Sequence, residues 1–227
     1  HVSRAGSSSM PLWTVGVDLS HRADRRLSVL VLTLVSPDGE LVGSWKAEQT
    51  LDETARPDTL IALLGRCRSL LQRNGSDPSI MVLRDGRMFY GERADLYGEF
   101  LGPKISLFEY RKRGNPLILD FDHEDRLPGG PIAAAVPGSE TMFVTTAPPR
   151  RHVDLPSVSK VTWREEWNSL NLAKEEIAAA LAASSAAPGL GLHARQLPAA
   201  IYWADGIAGA SQNDLRFRGV PCHLIKT

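Results

Sequence analysis

Apolar residues gather in short runs along the first half of the chain, and their spacing predicts a series of strands followed by a helix. The predicted strands cover residues 12–19, 27–35, 41–47 and 80–83. Pro37, Asp38 and Gly39 lie between the second and third runs and predict a hairpin turn. Between the third and fourth strands, apolar residues recur at helical spacing over residues 57–73. This order of elements is typical of a mixed α/β fold.

The second half of the chain predicts more short strands and three further helices. Strands are expected at residues 104–110, 117–121, 131–136, 141–146 and 159–163, and helices at 93–101, 169–185 and 198–210. No repeat and no composition shift marks a domain boundary. We therefore expect residues 10–227 to form a single α/β domain. We expect residues 1–9 to be a flexible lead or a remnant, since they are Ser-rich and begin with His rather than Met.

Composition is that of an ordinary globular protein. The 227 residues are 43% hydrophobic and 23% charged, and no window approaches the roughly 18 apolar residues of a membrane span. The two cysteines, Cys67 and Cys222, fit no metal-ligand spacing, and Cys67 falls on the apolar stripe of the first long helix. A buried free thiol suits a reducing compartment, which predicts a cytoplasmic location and no membrane partner.

Net charge gives no support for a nucleic-acid partner by itself. The chain has 26 basic and 26 acidic residues, whereas proteins that bind phosphates usually carry a basic excess. A local basic groove is still compatible with this balance, and the candidates for it are Arg84, the run Arg111-Lys112-Arg113 and the pair Arg150-Arg151. The alternative for each of these residues is a solvated loop position.

Four carboxylates occupy positions where a bare charge is costly. Asp18 and Asp85 each end an apolar run, Asp205 lies inside the apolar segment 197–208, and Glu53 directly precedes the first long helix. Acids at the ends of buried strands face the crevice in which α/β sheets bind ligands. Clustered carboxylates that share divalent cations are typical of enzymes that cut phosphodiesters.

Each acid also has a local structural alternative. Asp18 could be a turn residue at a strand exit, and Asp85 opens an Asp-Gly turn. Glu53 could interact with the dipole of the following helix, in which case Glu48 is the reserve candidate for the fourth ligand.

Three segments together resemble the Piwi domain of Argonaute proteins. Val15-Gly-Val-Asp-Leu-Ser-His21 resembles the first catalytic strand of that family, and Ile80-Met-Val-Leu-Arg-Asp-Gly86 resembles the second. The segment 197–208, with its Tyr-Trp-Ala-Asp, resembles the closing helix that carries the last ligand. The three segments occur in the order that the family has, across nearly the whole chain.

The resemblance implies an RNase H-like fold with a central mixed sheet of about five strands, flanked by helices and followed by extra strands. It implies a catalytic tetrad of Asp18, Glu53, Asp85 and Asp205 that holds two Mg²⁺ or Mn²⁺ ions, with Asp18, Asp85 and Asp205 as the directly matched metal ligands. The implied activity is guide-directed cleavage of a DNA or RNA target strand, and in the prokaryotic branch defence against invading DNA.

The resemblance also implies nucleic-acid contacts and missing modules. The basic residues near the site, and the C-terminal carboxylate that helps to bind the guide's 5′ phosphate in the family, give the following candidates: Arg84, Arg111, Lys112, Arg113, Arg216, Arg218 and Thr227. An entire Argonaute has further modules that hold the guide's ends. They would have to come from a partner chain or from a missing N-terminal part.

Two other functions remain open at this point. The first is a Piwi-type module that binds a guide–target duplex without cutting it, which depends on whether Glu53 completes the tetrad. The second takes Gly16-Val-Asp-Leu-Ser20 as the phosphate loop of an actin-like or sugar-kinase-like ATPase. That function needs a later Gly-rich adenosine-binding strand, for which Gly189-Leu-Gly191 is a poor candidate.

Overall fold

A computed structural model of the chain describes residues 2–4, 12–22, 26–52, 54–73, 78–88, 92–112, 115, 132–145, 158–185 and 197–212. The strands are β1 (Val2–Arg4), β2 (Trp13–Arg22), β3 (Leu27–Val35), β4 (Leu41–Thr50), β5 (Ile80–Asp85), β6 (Ile105–Arg111), β7 (Ile132–Ala135), β8 (Thr141–Thr145) and β9 (Ser159–Thr162). The helices are α1 (Pro57–Arg73), α2 (Asp95–Leu101), α3 (Lys174–Ser185) and α4 (Ala199–Gln212), with a 3₁₀ turn at Glu165–Trp167.

The strands form one mixed sheet in the order β1-β7-β8-β9-β6-β5-β2-β3-β4. Its centre consists of β6, β5 and β2 in parallel, and the antiparallel meander β2-β3-β4 completes one side. The strands of the middle of the chain extend the same sheet beyond β6 through the antiparallel pair β6–β9. The expected RNase H-like α/β fold, with a five-stranded mixed core and extra strands, is confirmed.

Helices cover both faces of this sheet, so the core has two layers. On one face lie α1 and α2, where Leu64 and Tyr97 form a cluster with Val17 and Val82. On the other face α4 packs mainly on β2 and β3, and α3 packs on β7 and β8. Both helices contribute to a second cluster on that face: Met81, Leu83, Phe108, Ile177, Leu181 and Ile201. Because side chains alternate along a strand, each sheet residue is assigned to one of these two faces.

Helix α3 begins five residues later than the sequence predicts. Asn171 has φ +51°, a left-handed conformation that interrupts a right-handed helix. The side chain of Asn168 accepts a hydrogen bond from the Leu172 amide at 3.1 Å, and Glu176 accepts one from the Ala173 amide at 2.8 Å. These two contacts satisfy free amides at the start of the helix, so the observed boundary is the capped one.

The remaining elements agree with the predicted ones to within a few residues, with one addition. Val2–Arg4, inside the segment expected to be a flexible lead, pair with β7 as an edge strand. The strand predicted at residues 117–121 lies outside the described residues. Cys67 is fully buried in α1, as expected. Within the described ranges no helix has both the length and the apolar character needed to cross a bilayer.

Candidate metal centre

Two neighbouring strands bring Asp18 and Asp85 together. The parallel pairing of β2 with β5 runs from Trp13 to Val17, so Asp18 lies one residue beyond the last paired position. β2 itself continues to Arg22, and Asp18 pairs with Val31 of β3. Asp18 is therefore a strand residue rather than a turn residue. Asp85 ends β5, and Gly86 with φ +82° turns the chain away from the sheet.

Helix α4 supplies the third acid because its first turn approaches β2 very closely. A Cβ atom on Gly16 would lie 2.3 Å from the carbonyl oxygen of Ala200, so only glycine permits this approach. The Thr33 hydroxyl donates a hydrogen bond to the same oxygen at 2.9 Å. Ile201 then anchors the helix in the core, and Asp205 follows one turn later on the same side.

The three carboxylates converge on the α4 face of the sheet. Asp18, Asp85 and Asp205 each offer an oxygen atom, and these atoms lie within 4.8 Å of one another. Asp18 is buried, the Asp85 side chain is 11% exposed and that of Asp205 is 53% exposed. The cluster is thus closed towards the sheet and open towards solvent at Asp205.

An ammonium group bridges two of these acids. Lys112 Nζ lies 2.5 Å from Asp85 Oδ2 and 2.6 Å from Asp205 Oδ1. Lys112 directly follows β6, and Tyr110, two residues earlier, is the register partner of Asp85. The register of β5 with β6 therefore delivers Lys112 to the carboxylates.

The electrostatics of the cluster follow from burial and from like charges. Burial, followed by the negative charge of Asp85, raises the pKa of Asp18 from 3.8 to about 7, although Lys112 opposes the shift. Burial disfavours the charge of Lys112, but Asp85 and Asp205 hold its pKa above the ordinary lysine value. At neutral pH the cluster therefore holds up to three negative charges and one positive charge.

This donor set fits a hard divalent cation. Carboxylate oxygens are the ligands that Mg²⁺ and Mn²⁺ prefer, and three acids at this separation can share an ion. The Lys112 ammonium occupies a position between Asp85 and Asp205, where it neutralises both carboxylates at contact distance. The site thus attracts positive charge, and the chain supplies some of that charge itself.

Arg84, one of the predicted nucleic-acid contacts, is engaged inside the protein. Its side chain is 3% exposed and its Nε lies 2.9 Å from Glu92 Oε1, whose own side chain is fully buried. A further hydrogen bond joins the Arg84 guanidinium to the carbonyl oxygen of Asp85. Arg84 lies on the face opposite to Asp85 because the two residues are adjacent in a strand. It fixes the backbone that carries the aspartate.

The other predicted site residues either lie away from the carboxylate cluster or fall outside the described residues. Arg111 is exposed and points to the face opposite to Lys112. Glu48, the reserve candidate, is exposed on the edge strand β4, where it pairs with Val29 and takes no part in the carboxylate cluster of the described residues. The remaining predicted site residues lie outside the described residues: Glu53, Arg113, Arg216, Arg218 and Thr227.

Two features of the site were missed at the sequence level. Lys112 was expected to contact nucleic acid, and its pairing with Asp85 and Asp205 depends on a strand register that no local pattern reveals. Glu92 was not singled out at all. Its signal was indirect, since a charged residue at position 84 of a buried strand requires a nearby acid.

Comparison with solved structures places this fold among Argonaute structures. Clostridium butyricum Argonaute, solved with a guide DNA and a 19-mer target DNA, matches with a TM-score of 0.72 at 18% identity, over 88% of this chain and 27% of that one. Marinitoga piezophila Argonaute in complex with a 5′ OH guide RNA matches with a TM-score of 0.65 at 20% identity, over 87% of this chain and 29% of that one. The C-terminal lobe of a budding yeast Argonaute matches with a TM-score of 0.65 at 12% identity, over 89% and 46%.

These likenesses confirm the Piwi-like fold that the sequence motifs implied. No family profile and no curated protein matches the sequence. The chain spans less than a third of the length of the two prokaryotic Argonautes.

Proposed function

We propose that this chain is a nucleic-acid-guided endonuclease module that cleaves a target strand by metal-dependent phosphodiester hydrolysis. The observation that carries this proposal is the convergence of Asp18, Asp85 and Asp205 within 4.8 Å on one sheet face. The fold supports it, because Argonautes with this fold have been solved with guide and target strands bound. The partners would be a guide nucleic acid and its complementary target, held with the help of guide-anchoring modules on another chain or segment.

Asp18, Asp85 and Asp205 would hold Mg²⁺ or Mn²⁺, and Glu53 would add the fourth carboxylate. Bound there, the metal would supply Lewis-acid chemistry, which makes water a nucleophile at neutral pH and neutralises charge on the phosphate and on the leaving oxygen. Four carboxylates balance two dications, whereas three carboxylates with Lys112 in place balance only one. The number of ions therefore depends on Glu53 and on where Lys112 goes.

The chain's own residues prepare the site for a charged substrate. While no metal is bound, the pKa of Asp18 is raised to about 7, so protonation of this acid below that pH reduces the repulsion among the three carboxylates. Lys112 has to give up Asp85 or Asp205 when a dication takes those oxygens. We propose that the freed ammonium then contacts a phosphate oxygen of the nucleic acid, so that Lys112 exchanges one anion for another.

Cleavage of a preformed duplex tests the proposal without a guide-loading step. The chain is mixed with guide–target duplexes in which either strand is DNA or RNA, in Mg²⁺ or Mn²⁺, under single-turnover conditions. We expect cleavage that Asp85→Ala abolishes and that Glu53→Gln reduces at least 100-fold. Equal cleavage by the Asp85→Ala variant would refute the proposal.

The second candidate function is a module that binds a guide–target duplex without cutting it. The observation that favours it is the bridging ammonium of Lys112, because a permanently held lysine would exclude a second dication. This function would be supported if the chain binds the duplex without cleaving it in either metal, and if Glu53→Gln leaves the affinity for the duplex unchanged. The phosphate-loop ATPase is disfavoured because Gly16 lies against the backbone of α4 and leaves no room there for a phosphate.

A further inference from the structure

A polar cavity lies on the opposite face of the sheet from the carboxylates. Its volume is about 340 Å³, at the lower end of the roughly 300–1,000 Å³ typical of small-molecule sites. Arg111 and Glu109 of β6 line it, whereas Tyr110 between them belongs to the α4 face. Arg87, directly after the turn that follows Asp85, lines it as well.

Positive charge dominates the lining of this cavity. Arg87, Arg111, Lys160 and Arg164 contribute four cations, and Glu109 is the one acid among the described lining residues. The Glu109 carboxylate already accepts hydrogen bonds from the Met88 amide and from a threonine hydroxyl, both at 2.9 Å. Among the described residues it forms no ion pair with any of the four cations, so four positive charges face one negative charge and the cavity attracts anions.

Most of these cations also lack a partner elsewhere. Within the described part of the chain, Arg87, Arg111 and Lys160 have no carboxylate within ion-pair distance. Arg164 has one at 3.9 Å, from Glu166, but both side chains are about two-thirds exposed and the contact is weak. Four cations around one cavity repel one another, and a bound anion would relieve that repulsion.

One tryptophan makes the cavity suitable for a nucleobase in addition to a phosphate. Trp167 is half-buried, and the Arg164 guanidinium lies 4.6 Å from its ring centre. Trp163 also borders the cavity, but its ring packs edge-on against Phe108, with centroids 5.7 Å apart, on the face of the sheet that α3 and α4 cover. Aromatic rings beside cations are the usual elements of sites that bind single-stranded nucleic acid, because every base can stack.

We propose that this cavity binds one nucleotide of a single-stranded nucleic acid, with the phosphate among Arg87, Arg111, Lys160 and Arg164 and the base on Trp167. The size of the cavity suits one nucleotide and excludes a duplex. The site is separate from the carboxylates, because the sheet lies between them, and it requires neither a metal nor cleavage. It would hold a strand that leaves the guide–target duplex, or an unpaired end of the guide.

Binding of a labelled pentathymidylate in EDTA tests this proposal independently of the metal centre. We expect binding that quenches tryptophan fluorescence. Thymidine 5′-monophosphate should compete better than either thymidine or inorganic phosphate, because only the nucleotide offers both groups. The double variant Arg87→Gln/Arg164→Gln, with both changes at exposed positions, should bind at least tenfold more weakly. Its log–log salt slope should be smaller by up to about 0.7, since the four cations surround one phosphate and each phosphate contact to a single strand contributes about 0.7.

Two further variants separate this site from a diffuse charge effect. The matched control Lys46→Gln/Arg66→Gln removes two cations elsewhere and should change the affinity less than twofold. Trp167→Leu should lose most of the quenching, and Trp167→Phe should retain most of the affinity. Equal weakening by the control pair, unchanged binding in Arg87→Gln/Arg164→Gln, or equal competition by a hexaglutamate peptide would overturn the proposal. Loss of duplex cleavage with intact pentathymidylate binding would instead contradict the proposed function alone.

Discussion

Replacing Lys112 by methionine separates its two roles, as a neutralising charge and as a competitor of the metal. Methionine keeps the length and most of the volume of the side chain, so the change removes the ammonium with little loss of packing. In the metal-free protein the variant leaves Asp85 without its counter-ion. We therefore expect a loss of stability without metal and a gain in metal affinity.

The two contacts of Lys112 set the size of the effect. Asp205 is half-exposed, so its pair with Lys112 contributes at most about 1 kcal/mol. Asp85 is nearly buried, and removal of one partner of a buried pair costs about 3–5 kcal/mol. Asp18 relieves part of that cost because it can remain protonated. We expect the free energy of unfolding in EDTA at pH 7 to fall by about 3 kcal/mol.

The same free energy should appear with the opposite sign when metal binds. In the parent chain a dication has to displace Lys112, whereas in Lys112→Met nothing is displaced. A difference of about 3 kcal/mol corresponds to roughly 100-fold tighter binding of Mn²⁺. Urea unfolding in EDTA measures the first quantity, and calorimetric titration with Mn²⁺ measures the second.

Arg111→Met is the matched control, because it removes the same charge from the neighbouring position on the other face of the sheet. We expect it to change both quantities by less than about 0.5 kcal/mol. Unchanged or weaker Mn²⁺ binding in Lys112→Met, with the control behaving as expected, would refute the idea that Lys112 occupies a cation position.

Three other predictions follow from the site and its supports. The pKa of Asp18 is about 7 in the folded chain against 3.8 for the free side chain, so between these pH values the native state binds a proton that the unfolded state does not. The free energy of unfolding without metal should therefore fall by up to roughly 4 kcal/mol as the pH rises through this window. Urea unfolding at several pH values should show this slope in the parent chain and not in Asp18→Asn. Gly16→Ala should destabilise the fold by about 3 kcal/mol and weaken Mn²⁺ binding, because the new methyl group meets the α4 backbone, whereas Gly65→Ala in the open interior of α1 should stabilise by about 0.5–1 kcal/mol in the same assay. Glu92→Gln should cost about 3–5 kcal/mol by leaving the Arg84 charge buried and unpaired, and replacement of both residues by Met and Leu should cost less, as urea unfolding of both variants would show.

The parts of the fold that the sequence predicts correctly are those that local apolar patterns define. The strands that carry Asp18 and Asp85 contain short apolar runs, and the helix that carries Asp205 is a longer apolar segment, so run length separates the strands from the helix. Strand alternation alone also shows that Arg84 faces away from Asp85. The separation of Arg111 from Lys112 follows in the same way, because adjacent residues along a strand point to opposite faces of the sheet.

The features that could not be predicted depend on contacts between distant segments. Asp85 is opposite Tyr110 only because β5 and β6 pair in one particular register, and that register decides that Lys112 reaches the carboxylates. Likewise, Trp167 lines the basic cavity because the 3₁₀ turn that contains it packs beside β6, although Trp167 lies 56 residues after Arg111 in the sequence. Local propensity carries no information on either pairing.

The charge balance of the carboxylate cluster links metal binding to nucleic-acid binding. While no metal is present, Lys112 lowers the net charge of the three acids and so stabilises the fold. A dication can bind Asp85 and Asp205 only if Lys112 leaves them. The displaced ammonium then has no anionic partner unless a phosphate lies nearby. A nucleic acid that supplies this phosphate lowers the free-energy cost of displacing Lys112, so the metal and the nucleic acid should each bind more tightly in the presence of the other. Because coupling between two binding sites is reciprocal, this cooperativity must be lost from both sides in Lys112→Met.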